Sequence, residues 1–346
     1  MDILAHAAEN IKMKEEYAKL ILENENLKRS QVKQVDKGTS IDLSTQRFSC
    51  SFQYYTGFLY DRFYNVYNFF VPGVDLPFEF SKNISSLVSF SLEDQLLLVL
   101  IKLRQDFDFK HLSNMFGISS QDCSCLFTNW INYMFYRLGS LDIWPHRDII
   151  IENMPEQFKT DYPNTIIIID GTELKIQRPS SLHRQSQCYS DYKSCTTLKG
   201  LVGVDPRVSI VFASMLFSGS ISDKEITHRS GFLDTLKSLL QSGKLQEGDG
   251  VMADKGFTIE KEINNVRLCL NIPPFVPSSA SQMSGPAVAE TIKIAKHRVH
   301  VERAICRVKQ FKLLTNKVSL SLFSCVNQIW LVCCVLTNFM PFLIEK

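Results

Sequence analysis

The chain has 346 residues, of which 45% are hydrophobic and 21% charged, and its formal net charge is +2 at pH 7. This composition excludes a disordered or fibrous protein and supplies apolar material for one large or two ordinary domains. The near-neutral charge excludes a polycation that coats nucleic acid non-specifically, so any basic surface must be local. The 10 cysteines lack the spacing of a disulfide framework or a zinc site and indicate a reducing compartment.

The first 90 residues are expected to be mostly helical around a polar linker. Met13, Leu20 and Leu27 recur at heptad spacing and predict a short coiled coil within residues 1–30. Residues 31–90 are predicted to form a linker followed by an aromatic-rich helical segment from Phe52 to Phe70. The charged N-terminus has no apolar leader, so secretion is not expected.

Residues 91–145 show the pattern of a helix-turn-helix. Ser91 opens a capping sequence ahead of the apolar run from Leu96 to Leu103. A second short helix, Phe109 to Phe116, is predicted to stop at Gly117, and Ser119 can cap a third helix whose apolar residues share one face. Helix, helix, glycine turn and helix in this order are typical of DNA-binding modules.

Residues 160–318 change to an α/β pattern. The β-branched run Thr165–Ile169 predicts a buried strand that ends at Asp170, and a hairpin with its turn at 205–207 follows. A helix is expected from Asp223 to Leu240. A short strand ending at Asp254, another strand at 267–270 and a long helix from Ala287 to Lys312 complete a mixed α/β sheet. Residues 319–346 are expected to be a buried C-terminal helix, because the apolar run is too short to span a bilayer. No membrane partner is therefore expected.

Three carboxylates in this half are candidates for chemistry. Asp170 and Asp254 each follow an apolar strand, where a carboxylate can emerge at the edge of the sheet. Glu302 lies on the long helix between the apolar stripe and a basic one. Such an oxygen-rich set suits two divalent ions that stabilise the attacking and leaving oxygens of a phosphodiester. Alternatively, Glu302 simply pairs with Arg298 on a solvated helix face.

The long helix concentrates the positive charge of the chain. Residues 286–317 contain eight Lys or Arg and two Glu, although the whole chain is nearly neutral. A helical wheel places four of these cations, Lys293, Lys296, Arg303 and Arg307, on one stripe with His300, and this stripe is expected to attract phosphate. The predicted DNA-binding residues are Lys293, Lys296, Arg298, Arg303 and Arg307.

Several motifs, in order, resemble those of a known family. They are IIIIDGTELKIQRPSS (166–181), YSDYKSCTTLKGLVGVDP (189–206), FSGSISDKEIT (217–227), GVMADKGF (250–257) and RVHVERAICRVK (298–309). The chain resembles DDE superfamily endonucleases of the Tnp4 type, the transposases of Harbinger-like DNA elements, over about residues 164–314. The helical block from Leu92 to Pro145 resembles the helix-turn-helix that precedes this nuclease.

This resemblance implies an RNase H-like mixed sheet with flanking helices, preceded by the all-α helix-turn-helix region. It implies that Mg²⁺ or Mn²⁺ is the cofactor, and that DNA, either transposon ends or target, is the partner of a homo-oligomer in the nucleus. The implied catalytic residues are Asp170, Asp254 and Glu302, and Asp223 joins them as a fourth metal ligand.

Two functional classes fit these observations. The intact acidic triad favours a metal-dependent endonuclease or transposase that cuts and joins phosphodiester bonds. The third helix of the helix-turn-helix contains no Lys or Arg from Ser119 to Tyr136, and many relatives carry a zinc-dependent DNA-binding module ahead of the coiled coil that is not expected here. Those two features favour a domesticated descendant that associates with DNA or a protein partner without cleavage.

Overall fold

The computed structural model describes residues 46–71, 90–190, 193–275 and 282–344. All of them belong to one unit, Asp42–Lys346. The predicted coiled coil within residues 1–30 and most of the predicted linker lie outside the described residues.

Five helices form the first part of the described chain. They are α1 (Gln46–Thr56), α2 (Tyr60–Phe70), α3 (Leu92–Gln105), α4 (Phe109–Phe116) and α5 (Ser120–Gly139). The aromatic-rich segment was predicted as one helical stretch but forms two helices, because Gly57 adopts φ 84° and interrupts the helix. The first of these helices also begins earlier than expected, inside the predicted linker.

The helix-turn-helix forms as its capping residues predict. The Ser91 side chain accepts a hydrogen bond from the Asp94 amide, and Ser119 does the same for the Asp122 amide. Gly117 ends α4 in the left-handed conformation at φ 68°, which allows the tight turn into α5. The apolar side of α5, from Cys123 to Leu138, is buried.

The second part is a seven-stranded mixed sheet with helices around it. Its strands are β1 (Thr165–Lys175), β2 (Tyr189–Ser190), β3 (Cys195–Val204), β4 (Ile210–Ala213), β5 (Phe217–Ser218), β6 (Gly250–Met252) and β7 (Cys269–Asn271). Its helices are α6 (Arg147–Glu152), α7 (Glu156–Asp161), α8 (Leu182–Cys188), α9 (Asp223–Arg229), α10 (Phe232–Gln241), α11 (Glu260–Asn265), α12 (Gly285–Val308), α13 (Lys312–Thr315) and α14 (Val326–Leu336). The strand order is β2-β3-β1-β6-β7, with β4 and β5 also paired to β3.

The first strand continues past the point where it was expected to end. β1 runs to Lys175 because residues 168–175 pair antiparallel with β3, including Asp170 with Val202. Asp170 therefore lies in the middle of a strand and not at its end, and its backbone is fixed by the ladder. On the other side, β6 runs parallel to β1 only as far as the pair Ile168 and Met252.

Two further elements differ from expectation. The helix predicted from Asp223 to Leu240 is two helices, α9 and α10, because Gly231 at φ 78° interrupts it. The C-terminal element begins with a 3-10 turn at Leu320–Cys325, continues as α14 and ends at Phe339. This 20-residue stretch, Leu320–Phe339, is long and apolar enough to cross a membrane, but 61% of its most apolar window is buried in the protein, so it is weak evidence for a span.

Candidate functional site

The site lies where β6 stops and β1 continues. Asp170 comes two residues after Ile168, the last β1 residue that pairs with β6. Asp254 comes two residues after Met252, where β6 ends. Because the two strands are parallel, both carboxylates emerge on the same open edge of the sheet. The side chain of Asp170 is 24% exposed and that of Asp254 is 50% exposed.

A guanidinium from α12 joins these two aspartates. Arg298 Nη1 donates a hydrogen bond to Asp254 Oδ1 at 2.9 Å, and Nη2 lies 4.0 Å from Asp170 Oδ1. The Arg298 side chain is only 13% exposed. Arg298 was predicted to bind DNA, but its side chain points inward among the carboxylates. The alternative interpretation paired Arg298 with Glu302, whereas in the structure it pairs with Asp254.

Asp223 completes a group of three aspartates. It is the first residue of α9, whose N-cap Ser222 accepts a hydrogen bond from the Glu225 amide. Its carboxylate lies against two glycines, since a Cβ on Gly171 would come within 2.9 Å of Oδ1 and one on Gly256 within 3.0 Å of Oδ2. Those glycines follow Asp170 and Asp254 by one and two residues, so their lack of side chains lets the third carboxylate approach.

Glu302 occupies a different position from the aspartates. It is exposed on α12, one turn after Arg298, so the two side chains lie along the same side of the helix. Asp170, Asp223 and Asp254 each lie near one or more of Gly171, Gly256 and Arg298. Among the described residues, no three His, Cys, Asp or Glu side chains already converge on a point that could hold a metal ion.

The electrostatics of Asp170 nevertheless suit a cation. Burial raises the pKa of its carboxyl to about 6, Arg298 and the Gly171 amide oppose this, and the charges of Asp254 and Asp223 add to it. The Gly171 amide donates to Asp170 Oδ1 at 2.8 Å. Carboxylate oxygens are the ligands that Mg²⁺ and Mn²⁺ prefer. The donor set therefore fits a divalent ion, with Asp170, Asp223 and Asp254 as the near residues.

The residues of the predicted basic stripe differ in whether they are exposed or already contact other groups of the protein. Lys296 and Arg303 are exposed on α12. Lys293 lies 3.3 Å from Asp161 in an ion pair, and Arg307 donates to the Pro341 carbonyl at 2.6 Å. His300 does not belong to an exposed stripe, because its Nδ1 hydrogen-bonds the Pro206 carbonyl at 2.8 Å and burial lowers its pKa.

Two lysines near the site were not predicted from the sequence. Lys199, on β3, forms an ion pair in which its Nζ lies 2.8 Å from Asp223 Oδ1. The Lys199 side chain is 13% exposed. Lys309, at the end of α12, has its pKa lowered by burial and by Lys193, while Cys306, Glu173 and Asp170 oppose the shift. A lysine within a buried strand, such as Lys199 in Cys195–Val204, is an unusual placement that could have indicated a partner.

The mixed sheet, its flanking helices and the all-helical region before it are consistent with the RNase H-like fold. Residues 169–338 match the family model described as DDE superfamily endonuclease. Residues 89–140 match that described as helix-turn-helix of DDE superfamily endonuclease. The two matches together cover more than half of the chain, in the order predicted from the sequence, and the chain belongs to the DDE superfamily endonucleases. No curated protein matches the chain.

Proposed function

We propose that this protein is a divalent-metal-dependent DNA endonuclease of the transposase type that cuts and joins phosphodiester bonds in the nucleus. The observation that carries the proposal is the placement of Asp170, Asp254 and Asp223 at one open edge of the sheet. The family supports nuclease or transposase activity in general, and its helix-turn-helix supports DNA as the partner. Transposon ends or target DNA are the proposed substrates, and a homo-oligomer is the proposed active form.

Each acidic residue has a distinct proposed role. Asp170, within β1, and Asp254, just after β6, would hold the metal ions, and Asp223 would support them from the start of α9. Glu302 supplies a carboxylate from α12 on the side of the helix that carries Arg298. The bound ions supply the charge that stabilises the attacking and leaving oxygens of the phosphodiester.

The mid-strand position of Asp170 is suited to this role. Its backbone is held by the ladder to β3, and Asp254 comes just after the adjacent strand β6 of the same sheet. A site on rigid elements keeps its ligands in a fixed geometry, which catalysis at a phosphodiester requires. Lys199 holds the Asp223 carboxylate and so limits its rotation.

A plasmid-cleavage assay in Mg²⁺ or Mn²⁺ tests the proposal. Asp254→Asn and Glu302→Gln should each lower the cleavage rate at least about 100-fold, because each removes a charged ligand. The matched control is Asp234→Asn, since Asp234 is exposed on α10 and forms an i,i+3 ion pair with Lys237. Equal cleavage by Asp254→Asn and the unaltered protein would show that the site is wrongly assigned.

The same assay tests a second candidate function, a DNA-associated or partner-binding protein that no longer cleaves. The observation that favours it is the ion pair of Arg298 with Asp254, which places a protein cation among the proposed metal ligands. Sequence-independent DNA binding without cleavage in either metal, by a folded unaltered protein, would support this second function.

A further inference from the structure

The guanidinium of Arg298 lies where a cation shared by two carboxylates would lie. Nη1 contacts Asp254 Oδ1 at 2.9 Å and Nη2 approaches Asp170 Oδ1 at 4.0 Å. Asp170 lies in β1 and Asp254 lies just after the parallel neighbouring strand β6, so a divalent ion bound by both must occupy the space between them. The guanidinium and such an ion cannot both hold the inner oxygens, because Mg²⁺ binds its ligands at about 2.0–2.1 Å.

Arg298 is incompletely hydrogen-bonded for a buried arginine. Its Nε is buried and has no hydrogen-bond partner among the described residues. The approach to Asp170 at 4.0 Å is beyond hydrogen-bond distance, which leaves the bond to Asp254 as the short contact to the pair. A buried donor without a partner is unfavourable, and this cost lowers the free energy needed for a competing cation to displace the guanidinium.

The charges around the pair also favour a cation in this space. Asp170, Asp223 and Asp254 supply three negative charges, and Arg298 and Lys199 supply two positive ones in contact with them. If Arg298 leaves the aspartates, the negative charge beside the vacated space increases by one, which favours a divalent ion there.

We propose that Arg298 occupies the space between Asp170 and Asp254 in the metal-free protein and competes with the first divalent ion for this position. This inference rests on the proposed function and assigns a regulatory contact within the same site. The displaced guanidinium remains one helical turn from Glu302, on the side of α12 where a DNA phosphate would approach the carboxylates. Arg298 is therefore a positioning residue that couples metal binding to phosphate binding.

Direct titration of the full chain with Mn²⁺ in the absence of DNA tests this, with free Mn²⁺ followed by electron paramagnetic resonance. Arg298→Gln should bind the first Mn²⁺ at least about tenfold more tightly than the unaltered protein, because a competing charge is removed beside the ligands. A purely structural arginine predicts the opposite, since its loss would let the carboxylates separate. The matched control is Arg267→Gln, an exposed arginine paired with Glu247 away from the site, which should leave the affinity unchanged.

Equal or weaker Mn²⁺ binding by folded Arg298→Gln, with clear binding by the unaltered protein, overturns this inference and leaves the proposed function intact. Failure of all variants to bind Mn²⁺ overturns both. If Arg298→Gln does not fold, Arg298→Lys decides, because a single ammonium cannot span both carboxylates. Tighter Mn²⁺ binding by Arg298→Lys supports the competition, and equal or weaker binding overturns it.

Discussion

At the scale of single residues, Asp205 is a buried carboxylate outside the proposed chemistry. Its Oδ1 accepts hydrogen bonds from the amides of Arg207 at 2.9 Å and Ser209 at 2.8 Å, which fixes the turn between β3 and β4. Burial raises the pKa of this carboxyl to about 6, and the two amides oppose the shift. At neutral pH the turn therefore holds a charge with little solvent around it.

This raised pKa predicts that removing the charge stabilises the folded protein, and that the effect depends on pH. The folded-state pKa of about 6 exceeds the ordinary aspartate pKa of 3.8, so the stability that Asp205 contributes is present below about pH 3.8 and is lost as the pH rises through 6. Asp205→Asn keeps an acceptor at Oδ1. It should unfold like the unaltered protein at pH 4 and be more stable by on the order of 1–3 kcal/mol at pH 7.5.

Denaturant unfolding at the two pH values measures this difference in the free energy of unfolding. Asp234→Asn, at an exposed ion pair on α10, is the control and should show no such dependence. A difference for Asp205→Asn that is the same at pH 4 and pH 7.5 would contradict the assigned cause.

At the scale of elements, α12 presents different chemistry on different sides. Its buried side includes Ile294, Val301 and Val308. Arg298 and Glu302 follow one edge of that side, and Lys296 and Arg303 lie on the exposed surface about 100° around the helix from Glu302. One helix can therefore contact the reacting phosphate with one edge and neighbouring phosphates with its outer surface.

The exposed cations should determine the salt dependence of DNA binding. Lys296→Gln with Arg303→Gln should reduce the slope of log affinity against log salt by about 1.8, since each phosphate contact on duplex DNA contributes about 0.9. Arg307→Gln should change the slope less, because its guanidinium already donates to the Pro341 carbonyl. Fluorescence anisotropy of a labelled duplex at several salt concentrations measures these slopes. An unchanged slope in the double variant would show that both side chains face only solvent.

Elements specified by neighbouring residues were predictable from the sequence, and those specified by distant ones were not. The helices that begin after Ser91 and Ser119 follow from a cap and an amide three residues away. The continuation of β1 past Asp170 depends on pairing with Val202, and the contact of Arg298 with Asp254 joins residues 44 positions apart. The acidic candidates could be found because each follows an apolar run, but the guanidinium between two of them follows no local pattern.

At the scale of the whole molecule, the C-terminal helix packs against both the helix-turn-helix and the sheet. α14 lies against α5 and β4. Trp330 Nε1 donates to the Ser214 carbonyl at 2.9 Å, and a Cβ on Gly200 would come within 2.9 Å of the indole ring. Lys312, just after α12, donates to Gln105 at the end of α3 at 2.6 Å. The helix-turn-helix and the nuclease sheet therefore share buried contacts.

A substitution in this shared helix should destabilise both parts together. Trp330→Ala should lower the free energy of unfolding by about 3–5 kcal/mol, the usual cost of removing a buried tryptophan. The remaining tryptophans report separately, because Trp130 lies on α5 and Trp144 packs against the sheet core. Single-tryptophan variants should show coincident unfolding transitions. Phe323→Ala, at a residue 45% exposed, is the control. Two separate transitions would show that the helix-turn-helix unfolds independently.

These shared contacts fix the distance between the helix-turn-helix and the acidic residues of the sheet. If α5 contacts DNA, its distance to Asp170 and Asp254 is set by packed side chains of α14 and not by a flexible tether. The cut should then fall at a constant number of base pairs from the contacted sequence. Inserting five base pairs between them turns the scissile phosphate about half a helical turn away, to the opposite face of the duplex, and inserting about ten restores the face but not the distance.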